Sequence, residues 1–261
     1  MACVKEGQCE LSQLSSDFLG LYASKADADV TFVFPGGEIK AHKLVLATRV
    51  PHFKTILSAA TNRIEIPDAN MQCFDVFLSF VYGGRLPVEG FDVESQLIFA
   101  KKYDFPTLIP HCIPKIKLDM AEIKDLDVCI SEAGRMMDAH PFPEVRNLLE
   151  TILQTRINDE VARIPQRDST CPRCRNYYCG GSCFSERLKS DFIGQIVKLL
   201  VLSHLNSCQT LKATCMRHFR AFDCHGRYAM PWSDTLIAEA AKDLTNYPDL
   251  LIEMLGQYCR D

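Results

Sequence analysis

The spacing of apolar residues changes character once along this chain, near residue 120, and that change decides which folds are open to it. Before it, strand-like alternation and helix-like spacing are interleaved; after it, only helical spacing remains. Such a pattern fits neither an all-β protein nor a regular βα repeat, and it reads as an α+β part followed by an all-α part. In the first part, Val30, Phe32 and Phe34 alternate with Thr31 and Val33. Pro35-Gly36 follows, the pair favoured at the centre of a type II turn, and residues 37–41 return as the second strand of a hairpin. Arg63 to Ile66 is a third short strand, stopped by Pro67-Asp68.

Helices fill the rest of this part. Residues 10–23 carry Leu11, Leu14, Phe18 and Leu21 on one face, and 42–48 and 51–58 are two short helices broken before Pro51. Asn70 is placed to cap a helix whose inner face is Phe74, Phe77, Leu78 and Val81, and which Gly83-Gly84 ends. Asp92 caps another that turns Val93, Leu97 and Ala100 inward. A further helix over 106–117 enters at Pro106 and is disturbed by Pro110 and Pro114.

Beyond 120, Leu126, Ile130, Ala133 and Met137 share one face, and Val145, Leu148, Leu149 and Ile152 another, with a loop at His140 to Pro143. Residues 163–187, rich in Cys, Arg, Gly and Pro, interrupt the pattern. It resumes with Ile196, Leu199, Leu200 and Ser203, then Leu211, Cys215, Phe219 and Phe222, and ends in helices over about 232–244 and 247–258. Short loops between these helices favour antiparallel pairs.

Composition narrows the classes of function. Of 261 residues, 29 are Lys or Arg and 33 Asp or Glu, a formal net charge of −4 that disfavours bulk phosphate binding. No stretch reaches the roughly 18 consecutive apolar residues of a membrane span. The opening MACVKEGQCELSQL lacks a signal-peptide core, so the cytoplasm or nucleus is the expected place. There the 13 cysteines, an odd number, are expected to be thiols or metal ligands rather than a disulfide framework. No Ser-His-Asp set, phosphate loop or HExxH motif appears, and no CxxC sits in a strand-to-helix setting; the chain is not expected to be an enzyme.

An ordered set of motifs carries a family resemblance. DADVTFVF (27–34), IKAHKLVLATRVPHFKTIL (39–57), IEIPDANMQCFDVFLSFVYGG (64–84) and SQLIFAKKYDFPTLIPHC (95–112) together resemble a BTB/POZ domain. IVKLLVLSHLNSCQTLKATCMRHF (196–219) and LIAEAAKDL (236–244) are similar to the BACK-like helical extension of kelch-type and speckle-type POZ adaptors. The expected organisation is a dimerisation helix (1–26), a BTB/POZ domain (27–118), a helical pair (119–162), a Cys-rich segment (163–190) and a BACK-like region (191–261).

The resemblance implies a protein-interaction module: a homodimer, an adaptor or scaffold for an unidentified partner, and a candidate recruiter of a cullin-3 ubiquitin ligase. A non-cullin scaffold in transcriptional or nucleic-acid-associated complexes is the alternative. Fold alone does not choose between them. In the implied dimer Leu11, Leu14, Phe18 and Leu21 form the facing stripe, and Asp29 and Lys43 occupy the positions of the family's buried charged pair; the other reading is a stripe packed on its own subunit and a solvated Lys43. His42, in the A-H-K motif, reads as a satisfied core histidine. Many cullin-binding members carry a hydrophobic-x-Glu motif where this chain has KTILSAATNRIEIPD (54–68), with no acid before Glu65, so that contact is absent or relocated. Phe53, Ile56, Leu57 and Tyr82 remain as cullin contacts, and read equally well as core.

The strongest chemical signal outside that region is Cys171-x2-Cys174-x4-Cys179-x3-Cys183, two close thiol pairs fit for one tetrahedral ion, with Pro172, Gly180 and Gly181 permitting tight turns. Structural zinc is the expected cofactor, and four free thiols the alternative; His204, Cys208, Cys215, Cys224 and His225 are further candidate ligands. Basic residues beside Tyr177 and Tyr178 offer a grip on single-stranded nucleic acid, but the spacing departs from the C-x2-C-x4-H-x4-C retroviral-type knuckle, and a solvated basic loop or a grip on an acidic protein partner is the preferred reading.

Overall fold

The computed structural model describes residues 2–58, 62–87, 90–163, 186–221, 242 and 244–258. The Cys171–Cys183 quartet and the helix expected over 232–244, apart from its end, fall outside them. The chain divides into two compact units, Met1–Leu118 and Asp119–Asp261.

The first unit opens with α1 (Ala2–Ser24) and continues with β1 (Val30–Phe34) and β2 (Gly37–Ala41). These strands pair antiparallel, Val30 opposite Ala41 and Phe32 opposite Ile39. Then come α2 (Lys43–Arg49), α3 (Pro51–Leu57) and β3 (Arg63–Glu65), which joins β1 in parallel with Phe32 beside Ile64, for a sheet order β2-β1-β3. A parallel neighbour needs a crossover connection, and α2 and α3 provide it. α4 (Met71–Gly83), α5 (Val93–Lys102), a 3-10 turn (Pro106–Leu108) and the start of α6 (Ile109–Glu122) follow, the residues of α6 from Asp119 on belonging to the second unit.

The hairpin turn differs from expectation. A type II turn requires positive φ at Gly36, but the glycine on that side of the map is Gly37, at φ 155°. A Cβ on Gly37 would also come within 2.9 Å of the Met71 sulfur, the end of a flexible side chain that can shift, so it is the φ that calls for glycine here. Both sequence-predicted caps are present. Asn70 accepts from the amides of Gln72 and Cys73, and Asp92 from those of Glu94 and Ser95.

α4 is the axis of the unit. The expected stripe of Phe74, Phe77, Leu78 and Val81 is fully buried, and so are Phe80 and Tyr82 on other faces, because packed elements surround the helix. Around it lies an aromatic cluster: Phe32 meets Phe74 edge-on at 5.1 Å, and Tyr103 stacks on Phe53 at 4.9 Å and on Phe77 at 5.5 Å. Rings in such arrangements contribute beyond the area they bury.

The second unit is helical: α7 (Leu126–Ala139), α8 (Pro143–Ala162), α9 (Glu186–Leu205), α10 (Gln209–Ala221) and α11 (Pro248–Tyr258). Leu126, Ile130, Ala133 and Met137 are buried as expected. On α8 the buried line is Val145, Leu149, Leu153, Ile157 and Val161, whereas Leu148 and Ile152 are only half-buried. The four-residue spacing won because the packed face is one narrow stripe. Arg156, from α8, closes the carbonyl end of α6: its Nη2 donates to the carbonyls of Met120 at 3.1 Å and Ile123 at 2.7 Å. Glu150, also on α8, accepts from the Leu211 amide at the start of α10. No helix among the described residues is long and apolar enough to cross a membrane.

Candidate interaction surface

α1 has two neighbouring apolar faces with different fates. The inner one is docked on α4 of the same unit. Ser15 Oγ donates to the Gly83 carbonyl at 2.5 Å, and Leu19 lies so close that a Cβ on Gly83 would sit 2.7 Å from its Cγ. Tyr22 is buried against Tyr82, ring centroids 4.7 Å apart, and its hydroxyl donates to Asp75 Oδ1 at 2.5 Å. Burial first, and the Asp75 carboxylate second, hold this phenol far above its ordinary pKa. Lys25 Nζ lies 3.0 Å from the Tyr22 ring centroid, and burial lowers the pKa of that ammonium. None of Ser15, Leu19 or Tyr22 belongs to the stripe read from the sequence.

That stripe lies one step around the helix. Leu14 is 52% exposed, Phe18 and Leu21 are half-buried, and the Leu11 side chain falls outside the described residues. Beside it Leu44, on α2, is 78% exposed. Phe18 and Leu44 flank a groove of about 280 Å3 that is floored by Val45, Val81 and Tyr82.

His42 and Tyr82 set the position of α1's far end. The His42 Nε2–H donates to the Ala26 carbonyl at 2.6 Å, which leaves Nδ1 to accept from the Tyr82 hydroxyl at 2.8 Å. The same oxygen accepts from the His42 backbone N–H at 2.8 Å. The histidine is thus a satisfied interior group, 8% exposed. Tyr82 is pushed up to about 12, chiefly by burial.

Asp29 and Lys43 are brought together, though not as a side-chain ion pair. Asp29 is exposed, and its Oδ1 accepts from the Lys43 backbone N–H at 2.7 Å, while the Lys43 ammonium donates to Asn62 Oδ1 at 2.6 Å. His42 offers α2 no side-chain cap, and the Asp29 carboxylate stands in for one. Of the four residues named as cullin contacts, Phe53, Leu57 and Tyr82 are interior, at 1%, 8% and 1% exposure, and only Ile56 keeps partial access to solvent. They were read from motif position, and that position is occupied by the aromatic core.

Cys112, Cys129, Cys208 and Cys215 are buried and Cys73 is half-buried. Burial pushes the thiols of Cys112 and Cys215 up to about 12 and that of Cys208 to about 11, so they stay protonated near neutrality. Among the described residues no three His, Cys, Asp or Glu side chains are grouped to hold a metal.

Comparison with known proteins gives the class to which this arrangement belongs. The family model of the BTB/POZ domain matches residues 18–119, starting within α1, earlier than the motifs at 27 suggest. The chain is 31% identical over 103 residues to BTB/POZ domain-containing protein 9 of Drosophila melanogaster, covering 37% of this chain and 14% of that protein. It is 30% identical over 121 residues to BTB/POZ domain-containing protein 6-B of Danio rerio, 43% of this chain and 25% of the relative. To BTB/POZ and MATH domain-containing protein 5 of Arabidopsis thaliana it is 38% identical over 80 residues, 29% and 20% of the two chains. The chain therefore carries a BTB/POZ domain, a protein-interaction fold, followed by a helical region. It spans a quarter or less of the length of each of these relatives.

Proposed function

We propose that the chain is a self-associating adaptor or scaffold, in which the BTB/POZ domain pairs with a second copy through the outer face of α1 and the start of α2. One observation carries this reading: Leu14 and Leu44 stay exposed beside the half-buried Phe18 groove, while the neighbouring face of α1 is fully used within its own unit. Exposed apolar surface so placed calls for a partner. Asp29, exposed in the single chain, would lose water at such an interface, with Lys43 beside it. Sedimentation equilibrium is the test. The chain is expected to dimerise, and Leu14→Asp with Leu44→Asp to leave a folded monomer. A wild-type chain that stays monomeric at high concentration would overturn the proposal.

Within that role, the finer reading is recruitment of cullin-3, supported by the domain class. With Phe53, Leu57 and Tyr82 interior, contact would run through Ile56 and exposed neighbours, and a cullin-3 pull-down scored against Ile56→Asp tests it. The helical unit as a BACK-like partner platform and a zinc ion on Cys171, Cys174, Cys179 and Cys183 belong to the same proposal, the zinc supported by ligand spacing. A zinc stoichiometry near zero in carefully reduced protein would remove that ion.

A further inference from the structure

The connection between α1 and β1 sets an exposed hydroxyl ahead of two carboxylates. Ser24 is the one Ser or Thr of the chain with an acidic residue three positions on, Asp27, and Asp29 lies two beyond that. Ser24, Ala26, Asp27 and Asp29 are exposed, and residues 25–29 join no helix or strand. Ser24 is the last residue of α1. Its Oγ donates to the Leu21 carbonyl at 3.1 Å and accepts from the Ala26 N–H at 3.4 Å. Both bonds are local and solvent-facing, so the hydroxyl stays within reach of another protein. Lys25 and Asp27 have positive φ, 53° and 56°. Drawing the segment out relieves that strain and offsets part of the cost of seating it in another protein's cleft.

We propose that Ser24 is a phosphorylation site for a Ser/Thr kinase that reads carboxylates following the acceptor, and that the phosphate loosens the end of α1. Ser24 Oγ attacks the γ-phosphorus of ATP. The Oγ–P bond forms as the bond to the β,γ-bridging oxygen breaks; ADP leaves with that electron pair, and the hydroxyl proton passes to the kinase's base. Asp27 and Asp29 supply the charge pattern such a kinase recognises. The phosphate brings a charge of about −1.5 to −2 at neutral pH. Three local consequences run the same way. The Leu21 carbonyl loses the Ser24 hydroxyl as a donor. The phosphate stands at the carbonyl end of α1, where negative charge is unfavourable. Lys25, the adjacent cation, has its Nζ 3.0 Å from the Tyr22 ring centroid, and pairing with phosphate draws it off that ring.

The inference holds for a single chain and does not rest on self-association, so the test reads α1 directly. The full chain is incubated with an acid-directed Ser/Thr kinase and ATP, and the phosphate is located by mass spectrometry. Ser24 should be the main site, and Ser24→Ala should remove it. Asp27→Asn, which keeps a residue tolerant of positive φ, should slow the modification by about tenfold. Hydrogen exchange of the 12–24 segment should speed up by about threefold to tenfold in the phosphorylated chain and return when a phosphatase removes the group. Kinase-treated Ser24→Ala should exchange as the untreated variant does. The proposal fails if Ser24 takes up no phosphate, or if Asp27→Asn is modified as fast as wild type. It also fails if the phosphorylated chain exchanges no faster than the unmodified one, or more slowly, as a phosphate–Lys25 pair that tightens the turn would make it.

Discussion

The contact of Leu19 with Gly83 makes the docking of α1 measurable. A methyl at residue 83 would meet three Leu19 carbons at 2.7–2.8 Å, closer than real Cβ contacts come, so either Leu19 leaves its rotamer or α1 lifts. Overpacking of this kind costs about 1–3 kcal/mol. Against it, alanine gains up to about 1 kcal/mol over glycine within a helix. Gly83→Ala is the last residue of α4, where that gain is smallest, so the clash wins and α1 loosens. Leu19→Ala alone also loosens α1 by removing packing, but in the Gly83→Ala background it relieves the clash. The two changes should therefore couple favourably, by about 1–2 kcal/mol. Hydrogen exchange read by mass spectrometry on the 12–24 segment reports α1 opening without requiring the two units to unfold together. Each single variant should lower protection of that segment, by about tenfold per 1.4 kcal/mol, and the double variant should recover part of it. Additivity within about 0.5 kcal/mol would refute the close approach.

Two further expectations concern the second unit. Arg156→Met keeps the stem but removes the guanidinium bonds to the Met120 and Ile123 carbonyls, and should lower stability by roughly 1.5–3 kcal/mol in thermal unfolding, with Arg156→Lys recovering little because one ammonium cannot span both carbonyls; an unchanged midpoint would count against the cap. For Asp127, partial burial raises the carboxyl pKa, but the Gln195 amide and the Lys198 ammonium outweigh it and the net shift is downward. A depressed folded pKa gives stability that is full above the unfolded value of about 3.9 and is lost as pH falls through the lower folded one. Asp127→Asn should therefore flatten the loss of stability below about pH 4 in denaturant titrations, and an identical acid limb would exclude the linkage.

Much of the first unit was legible because its signals are local. Asn70 and Asp92 cap their helices from positions next to them, and Val30, Phe32 and Phe34 face inward by period alone. What escaped depends on residues distant in the chain. Ser15 and Tyr22 are polar-tipped, so an apolar count passes over them; their roles come from Gly83 and Asp75, 68 and 53 residues away. Phe53, Leu57 and Tyr82 show the converse. Motif position leaves them open as contacts or as core, and burial beside the ring cluster about α4 decides for core. Gly36 and Gly37 are adjacent, and composition cannot say which takes the unusual φ; the backbone places it at Gly37.

The connection from α1 to β1 shows why the outer stripe remains available. Lys25 and Asp27 both have positive φ, at 53° and 56°, where a residue with a Cβ is strained by about 1–2 kcal/mol. Lys25 closes α1 in the left-handed conformation usual for glycine, its N–H donating to the Leu21 carbonyl at 3.1 Å. A glycine there would relieve the strain but could not place a cation over the Tyr22 ring or near the carbonyl end of the helix. The strain persists because the connection is held from both sides: His42 binds the Ala26 carbonyl, and Tyr22 is anchored to Asp75. Two anchors and a left-handed turn fix the rotation of α1 about its own axis. With Ser15, Leu19 and Tyr22 committed to α4, that rotation leaves Leu14 outward and Phe18 at the rim of the groove beside Leu44. The same contacts that secure the helix to its own unit thus leave Leu14 and part of Phe18 open to solvent on its second face.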